Sequence, residues 1–209
     1  MIDRFPEDNL TIVSFEQEME DLLFRAQAKH GWAYYNNCDD SNQTDFAIQF
    51  GRQARWFHLE LKEKRQPFNP INWPEVPVPR EHVFILDELT VRRLLGRAPF
   101  GGIALREFMT GKYYFFPITR LILMPKVRMN RSMGERKILK GKWILDLRNG
   151  YDVDTIKDLL RLIYQYEEKF AIKDVTTTEC IGDYVGEEIP IGGRLRTEDL
   201  KQIDLEATR

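Results

Sequence analysis

The sequence predicts an α/β domain, and three stretches of the chain lead to this fold class. Apolar residues follow Ser14 at helical spacing, and they recur at the same spacing in a second segment from about 154 to 170. Between them, TDFAIQFGRQARWFHLELKEK (44–64) reads as two short strands around a turn. The chain has 209 residues, which suits one compact domain with additions.

The composition excludes several classes of protein. Hydrophobic residues make up 43% of the chain and charged residues 31%, as in soluble globular proteins and unlike disordered ones. No apolar run approaches the roughly 18 residues that cross a bilayer, and the acidic start MIDRFPEDNL does not fit a signal peptide. Cys38 and Cys180 are far apart, so we expect no disulfide framework. These features predict a cytoplasmic protein with no membrane partner.

The first helix has start and stop signals at both ends. Ser14 followed by Gln17 is a capping-box pattern, and Gly31 ends the apolar periodicity, so we expect a helix from about Ser14 to His30. Residues 32–35 are expected to form the first strand, before a turn that leads into the hairpin.

The middle of the chain alternates between strand and helix patterns. Residues 82–86 fit a strand and the segment after Asp87 fits a helix, although the apolar spacing there agrees with either period. Residues 113–124 and 142–147 both read as strands. They flank a basic segment like the two arms of a long hairpin or insertion.

The end of the chain combines a helix with an acidic tail. Asp152 or Asp154 is expected to cap the helix that ends near residue 170. Residues 174–209 hold nine acids and four bases, and this tail is expected to wrap the domain or a second subunit, which leaves a homodimer open. We therefore expect one domain over 1–173, divided into a core (about 14–124), a basic insertion (about 125–141) and a closing strand and helix (142–170).

Charge is distributed unevenly along the chain. The net charge is −2, yet residues 120–148 hold nine Lys and Arg against two acids. A polyanion contact and a solvated basic loop explain such a segment equally well. For the first, the expected phosphate contacts are Arg128, Arg131, Arg136 and Lys137.

The hairpin predicts an unusual pair of acids. If Gln49 lies opposite Trp56, the same register places Asp45 opposite Glu60, with Cβ atoms about 5 Å apart. Side-chain alternation puts Lys62 on the face of Glu60 and turns the apolar neighbours the other way into a core. Two facing carboxylates repel unless a cation lies between them or one is protonated. A hard divalent ion such as Mg²⁺ resolves the conflict.

A second interpretation of the hairpin needs no metal. Lys62 would form a salt bridge with both acids on a solvated face of the sheet, since exposed ion pairs between strands are common and contribute little free energy. His58 is expected on the same face, where it either fills the space opposite Ala47, the commoner role of a lone histidine, or contacts a phosphate.

The pattern as a whole resembles the PD-(D/E)xK phosphodiesterase superfamily, the restriction-endonuclease-like nucleases. The matching residues are Asp45 for the first acid and Glu60-Leu61-Lys62 for the (D/E)xK element, after a helix with an early Glu16. Thr44 stands where the superfamily name places a proline. The likeness covers roughly residues 14–124, and nothing beyond them matches a subfamily.

This resemblance implies a fold, a cofactor and a reaction. The expected fold is a three-layer α/β/α core around a mixed central sheet. Mg²⁺ or Mn²⁺ would be held by Asp45, Glu60 and the carbonyl of Leu61, with Glu16, or alternatively Glu20, completing the site. Lys62 would orient or help deprotonate the attacking water, or stabilise the phosphoryl transition state by its charge. The expected reaction is hydrolysis of phosphodiester bonds in nucleic acid, with DNA as the leading expectation. A catalytically silent nuclease-fold protein that binds nucleic acid or a protein partner is the alternative.

Overall fold

A computed structural model describes residues 13–52, 54–70, 76–133 and 138–170 of the chain. The acidic tail 174–209 lies outside the described residues, as do Arg136 and Lys137. Within the described part, no helix is long and apolar enough to pass through a membrane.

The described chain contains both α-helices and β-strands. The helices are α1 (Phe15–His30), α2 (Glu88–Leu95), α3 (Ile118–Leu123) and α4 (Ile156–Gln165). The strands are β1 (Ala33–Asn36), β2 (Phe46–Gln49), β3 (Trp56–Lys64), β4 (Val83–Asp87), β5 (Gly101–Glu107), β6 (Lys112–Pro117), β7 (Lys126–Met133), β8 (Ile138–Asp146) and β9 (Tyr151–Val153).

The central sheet is mixed, as predicted. Its six strands run in the order β1-β2-β3-β5-β6-β9. The pair β3 and β5 is parallel and the other neighbours are antiparallel. A parallel pair needs a crossover connection, and here the crossover contains β4 and α2. A second sheet of three strands has the order β4-β8-β7.

Two hydrophobic cores cover the two faces of the central sheet. The first joins α1 and α4 to Phe46, Phe57 and Leu59 of the hairpin. The second joins α2 and α3 to β5, β6 and the small sheet, through residues such as Leu94 and Leu145. Helices therefore lie on both faces of the sheet, which confirms the predicted α/β class with a mixed central sheet.

The helix and hairpin predictions at the start of the chain are confirmed. The Ser14 hydroxyl accepts a hydrogen bond from the Gln17 amide, and Gly31 ends α1 with a φ of 67°, a conformation that glycine adopts at little cost. In the hairpin Gln49 pairs with Trp56, the predicted register.

The strand predicted over 113–124 is wrong in its second half. The strand β6 ends at Pro117, and residues 118–123 form α3 instead. Ile118 and Leu121 are both fully buried and are three residues apart, so this apolar run also satisfies a helical period. Proline has no amide hydrogen for the sheet and is tolerated before a helix, which explains the change at this position.

The later elements differ from expectation in two further details. The basic segment after α3 forms the paired strands β7 and β8, so β7 rather than 113–124 is the first arm of the hairpin. Thr155 caps α4 by accepting from the Asp158 amide, where Asp152 or Asp154 was expected. Thr and Asp are both good capping residues, and the sequence did not distinguish them.

A buried ion pair lies at the end of β3, close to the predicted site. The Lys64 ammonium contacts the Glu107 carboxylate at 2.5 Å and the Glu81 carbonyl at 2.8 Å. Thr110 donates to the other oxygen of Glu107. Both charged side chains are almost completely buried and both carboxylate oxygens are bonded, so this pair serves the fold.

Replacement of Lys64 tests this structural role. We expect Lys64→Met to reduce the free energy of unfolding by about 3 kcal/mol, because the Glu107 charge stays buried without its cation. The double variant Lys64→Met, Glu107→Leu should lose less than the sum of the single variants. Urea unfolding measures each value, and Lys112→Met, which breaks the exposed pair with Asp152, should cost no more than about 0.5 kcal/mol. Equal losses for Lys64→Met and Lys112→Met would contradict the assignment.

Candidate active site

The hairpin brings the two predicted acids together. Asp45 directly precedes β2, whose Phe46 pairs with Leu59 of β3, so the register continues to Asp45 opposite Glu60. The Asp45 carboxylate accepts a hydrogen bond of 2.6 Å from the Leu61 amide. Asp45 is therefore held at the backbone of Leu61, the residue of β3 between Glu60 and Lys62.

Glu60 is a buried carboxylate with uneven contacts. Only 2% of the residue is exposed. Its Oε1 accepts from the Lys62 ammonium at 2.7 Å and from the Arg93 guanidinium at 3.4 Å. Its Oε2 is buried and has no hydrogen-bond partner among the described residues. A buried carboxylate oxygen without a donor is costly, so it points to a role other than stability.

Burial raises the pKa of Glu60 above its ordinary value. The charges of Lys62 and Arg93 act in the opposite direction, and the nearby Asp45 carboxylate raises the pKa further. Asp45 and Glu60 thus interact as like charges at close range. This is the repulsion that the register predicted.

Lys62 combines features of both sequence interpretations. Its ammonium forms an ion pair with Glu60, and a third of its side chain stays exposed. The salt bridge expected between Lys62 and Glu60 is therefore present, but Glu60 is buried and does not lie on a solvated face. The Asp45 carboxylate accepts from the Leu61 amide. Lys62 lies beside the paired carboxylates with part of its surface open to solvent.

Two acids of α1, Glu16 and Glu20, lie near Cys38, which in turn contacts the segment of Asp45. Glu16 and Glu20 line a cavity of about 390 Å³ with Asp39 and Cys38. The Cys38 thiol lies 3.8 Å from the Asp45 carbonyl oxygen. Burial raises the pKa of Cys38 to about 12, with additional contributions from Asp45, Glu16 and Glu20. Both α1 acids therefore lie within electrostatic reach of the Asp45 segment.

The carboxylates of Asp45 and Glu60 form a pair of a kind that suits a hard divalent cation. Asp45 and Glu60 supply oxygen ligands of the type that Mg²⁺ prefers, and the unpartnered Oε2 of Glu60 is a free acceptor. The described residues contain no group of three His, Cys, Asp or Glu arranged to hold a metal. Asp45 and Glu60 fit such an ion, and completion of the site by Glu16 or Glu20 stays a prediction.

Of the four predicted phosphate contacts, Arg128 is the one whose side chain the structure describes. Arg128 of β7 forms an ion pair of 2.8 Å with Glu88 of α2, which Arg92 also contacts. Arg131 belongs to β7, but its side chain, like the residues Arg136 and Lys137, lies outside what the structure describes. A cavity of about 480 Å³ separates α2 from β7 and β8, and its lining includes Arg92, Arg93, Arg128 and Lys140.

His58 occupies the expected position. It pairs with Ala47, and its Nδ1 lies 3.4 Å from the hydroxyl of the buried Thr44. Burial, followed by the charge of Arg97, lowers the pKa of His58. A neutral histidine that contacts Thr44 agrees with the structural role expected from the sequence.

Sequence reasoning missed Arg93. This residue belongs to α2, 33 residues after Glu60, and nothing in the helix pattern distinguishes it from Arg92. Only the crossover between β3 and β5 brings it to the carboxylate.

Comparison with known proteins adds little to these observations. No family model matches the chain, and no curated protein matches it significantly. One solved structure that is similar to part of the chain is Hjc, a Holliday junction resolvase from the archaeal hyperthermophile Archaeoglobus fulgidus. The identity is 17%, the match covers 63% of this chain and 92% of the other, and the TM-score is 0.36. A superposition this loose carries no argument about fold or function.

The pKa of Glu60 gives a test of the site. Its folded value is above that of the unfolded chain, so the ionised carboxylate lowers stability above the folded pKa, and this penalty is absent below the ordinary glutamate value of about 4.3. In metal-free buffer we expect Glu60→Gln to raise the free energy of unfolding at pH 8. The gain should disappear toward pH 4, and urea unfolding at the two pH values measures it.

Glu107→Gln is the matched control, because both oxygens of that buried glutamate are bonded. This variant should lose stability at pH 8. A similar loss for Glu60→Gln would show that Glu60 is a structural carboxylate.

Proposed function

We propose that this chain is a cytoplasmic, metal-dependent nuclease that hydrolyses phosphodiester bonds of DNA, of the restriction, repair, recombination or mobile-element type. The observation that carries the proposal is the buried Glu60 carboxylate, which faces Asp45 and leaves Oε2 without a hydrogen-bond partner among the described residues. A stability role does not explain this arrangement, because the raised pKa of Glu60 means that its charge opposes folding.

The proposed cofactor is Mg²⁺ or Mn²⁺, held by Asp45, Glu60 and the carbonyl of Leu61. The hydrogen bond from the Leu61 amide to Asp45 supports this set, because it fixes the acid beside the same peptide segment. Glu16 or Glu20 would complete the site from α1. A divalent ion held by these residues would offset the charge of both carboxylates and would supply Lewis-acid chemistry for phosphodiester hydrolysis.

Lys62 is proposed to act on the substrate side of the site. Its ammonium is held 2.7 Å from Glu60 and is partly exposed, so it can donate to a phosphate oxygen or orient the attacking water. The ion pair with Glu60 limits the motion of the Lys62 side chain. A lysine beside two carboxylates therefore supplies a positioned proton donor at the place where negative charge develops.

The hairpin of β7 and β8 is proposed to bind the nucleic-acid backbone. Arg128 and Lys140 border the cavity next to α2, and Arg131 lies further along β7. Arg136 and Lys137 complete the proposed contacts. Such contacts hold a strand by its phosphates and carry no sequence information.

Cleavage assays test the proposed reaction. We expect the wild-type protein with Mg²⁺ or Mn²⁺ to cut members of a labelled panel of linear, circular, branched and single-stranded DNA. Lys62→Ala should reduce the rate by roughly 100-fold or more, because a donor aimed at the developing charge is lost. Lys112→Ala is the matched control, since Lys112 is also a strand lysine paired with a carboxylate at 2.8 Å, and it should cut at the wild-type rate.

Binding assays at several salt concentrations test the basic hairpin. Replacing Arg128, Arg131, Arg136 and Lys137 together by Ala should weaken binding of DNA and reduce the slope of log K against log salt, by up to about 0.9 for each lost contact with duplex DNA. The control replaces Arg25, Lys29, Lys157 and Arg161, which belong to helices on the opposite side of the central sheet. An unchanged slope in the first variant would rule out the proposed contacts.

A catalytically silent protein that binds nucleic acid or a protein partner is the second candidate. The basic hairpin favours it as much as it favours the nuclease. Metal binding separates the candidates, because a silent protein has no need of the Asp45 and Glu60 pair. Salt-sensitive DNA binding without any Mn²⁺ affinity would select the silent protein.

A further inference from the structure

Arg93 connects three parts of the molecule through one guanidinium group. It belongs to α2, and 30% of its side chain is exposed. One terminal nitrogen, Nη1, donates to the carbonyls of Ser41 at 2.6 Å and Gln43 at 2.9 Å. The other, Nη2, donates to the Glu60 carboxylate at 3.4 Å. The planar group therefore joins α2 to β3 and to the turn before β2.

The turn that Arg93 contacts leads directly to Asp45. The Asn37 amide donates to the Asp45 carbonyl at 2.8 Å, and the Asn37 side chain donates to the Thr44 carbonyl at 3.2 Å. The Asp40 carboxylate accepts from the Asn42 amide and from the Gln43 side chain. These bonds make residues 37–45 a compact unit, so a group that holds Ser41 and Gln43 also holds Asp45.

We propose that Arg93 is a positioning residue that sets the separation of the Asp45 and Glu60 carboxylates, by clamping the 41–43 turn to Glu60. This inference rests on the proposed function, because the separation matters when a cation binds between the two acids. Arginine suits the role, since its rigid fork donates in two directions at once and lysine cannot reproduce this geometry. Arg93 contacts neither the reacting phosphate nor the attacking water in this role.

Positioning and simple electrostatics give opposite expectations for metal affinity. A cation near a divalent ion repels it, so removal of Arg93 would tighten metal binding if Arg93 were only a neighbouring charge. If Arg93 positions the acids, removal weakens metal binding in spite of the relieved repulsion. Arg93→Lys keeps the charge and loses the fork, so it isolates the geometric contribution.

The experiment compares Arg93→Lys and Arg93→Met with Arg92→Lys. Arg92 is the adjacent residue of α2 and binds Glu88 instead. Mn²⁺ affinity is measured by calorimetry, and amide hydrogen exchange is followed over residues 41–45. We expect both Arg93 variants to bind Mn²⁺ roughly tenfold more weakly, the lower end of the usual loss when a group that orients a metal ligand is removed. Exchange over 41–45 should become faster, and Arg92→Lys should match the wild type in both.

Three results would overturn the inference. Wild-type affinity in Arg93→Lys would show that the fork is not needed. Tighter binding by Arg93→Met would identify Arg93 as a neighbouring charge only. Unchanged exchange over 41–45 in both Arg93 variants would show that the turn does not depend on the clamp.

Failure of the proposed function gives a different result. If the wild-type protein binds no Mn²⁺, the nuclease proposal and the metal-positioning role fall together. If the wild type binds Mn²⁺ and Arg93→Lys binds it equally well, only the inference about Arg93 falls. Circular dichroism and thermal unfolding of each variant verify that a change in affinity does not reflect loss of the fold.

Discussion

Burial of the Glu60 carboxylate is the interaction on which the arrangement of this site depends. Water is excluded from the group, so the protein must supply its counter-charges, and it does so from two directions, with Lys62 on the same strand and Arg93 on α2. Both cations reach the same oxygen, which leaves Oε2 unpartnered among the described groups. This asymmetry separates Glu60 from the fully bonded Glu107 a few residues away on the neighbouring strand.

The mixed sheet explains why such a group can exist in the centre of the fold. Strand β3 lies between two partners, the antiparallel β2, which pairs with Trp56–Leu59, and the parallel β5, which pairs with His58–Lys64. Its side chains face a core on each side. Leu59 and Leu61 fill the core under α1 and α4. Glu60 points to the opposite face, where α2 approaches. A charged residue at this position contacts side chains of the crossover segment, here Arg93 of α2.

Much of this organisation could be predicted from the sequence. Alternation in the hairpin fixes which residues share a face, and a turn of known length fixes the register, so the pairing of Asp45 with Glu60 followed from local pattern alone. The cap of α1 was equally local. Residues 118–123 could not be assigned, because a short apolar run satisfies both periods. Arg93 could not be found either, because its contacts depend on a crossover whose path only the folded structure defines.

The sequence separations of these contacts have a consequence for the order in which the site forms. Lys62 is two residues from Glu60, and the bond from Leu61 to Asp45 spans 16 residues, whereas the contacts of Arg93 span 33 to Glu60 and 52 to Ser41. Closing short loops costs less entropy than closing long ones. The hairpin can therefore bring its two acids together while the crossover is still unfolded. Lys62 can then offset the repulsion between the two acids. Arg93 contacts Glu60 after the crossover folds and β5 pairs with β3.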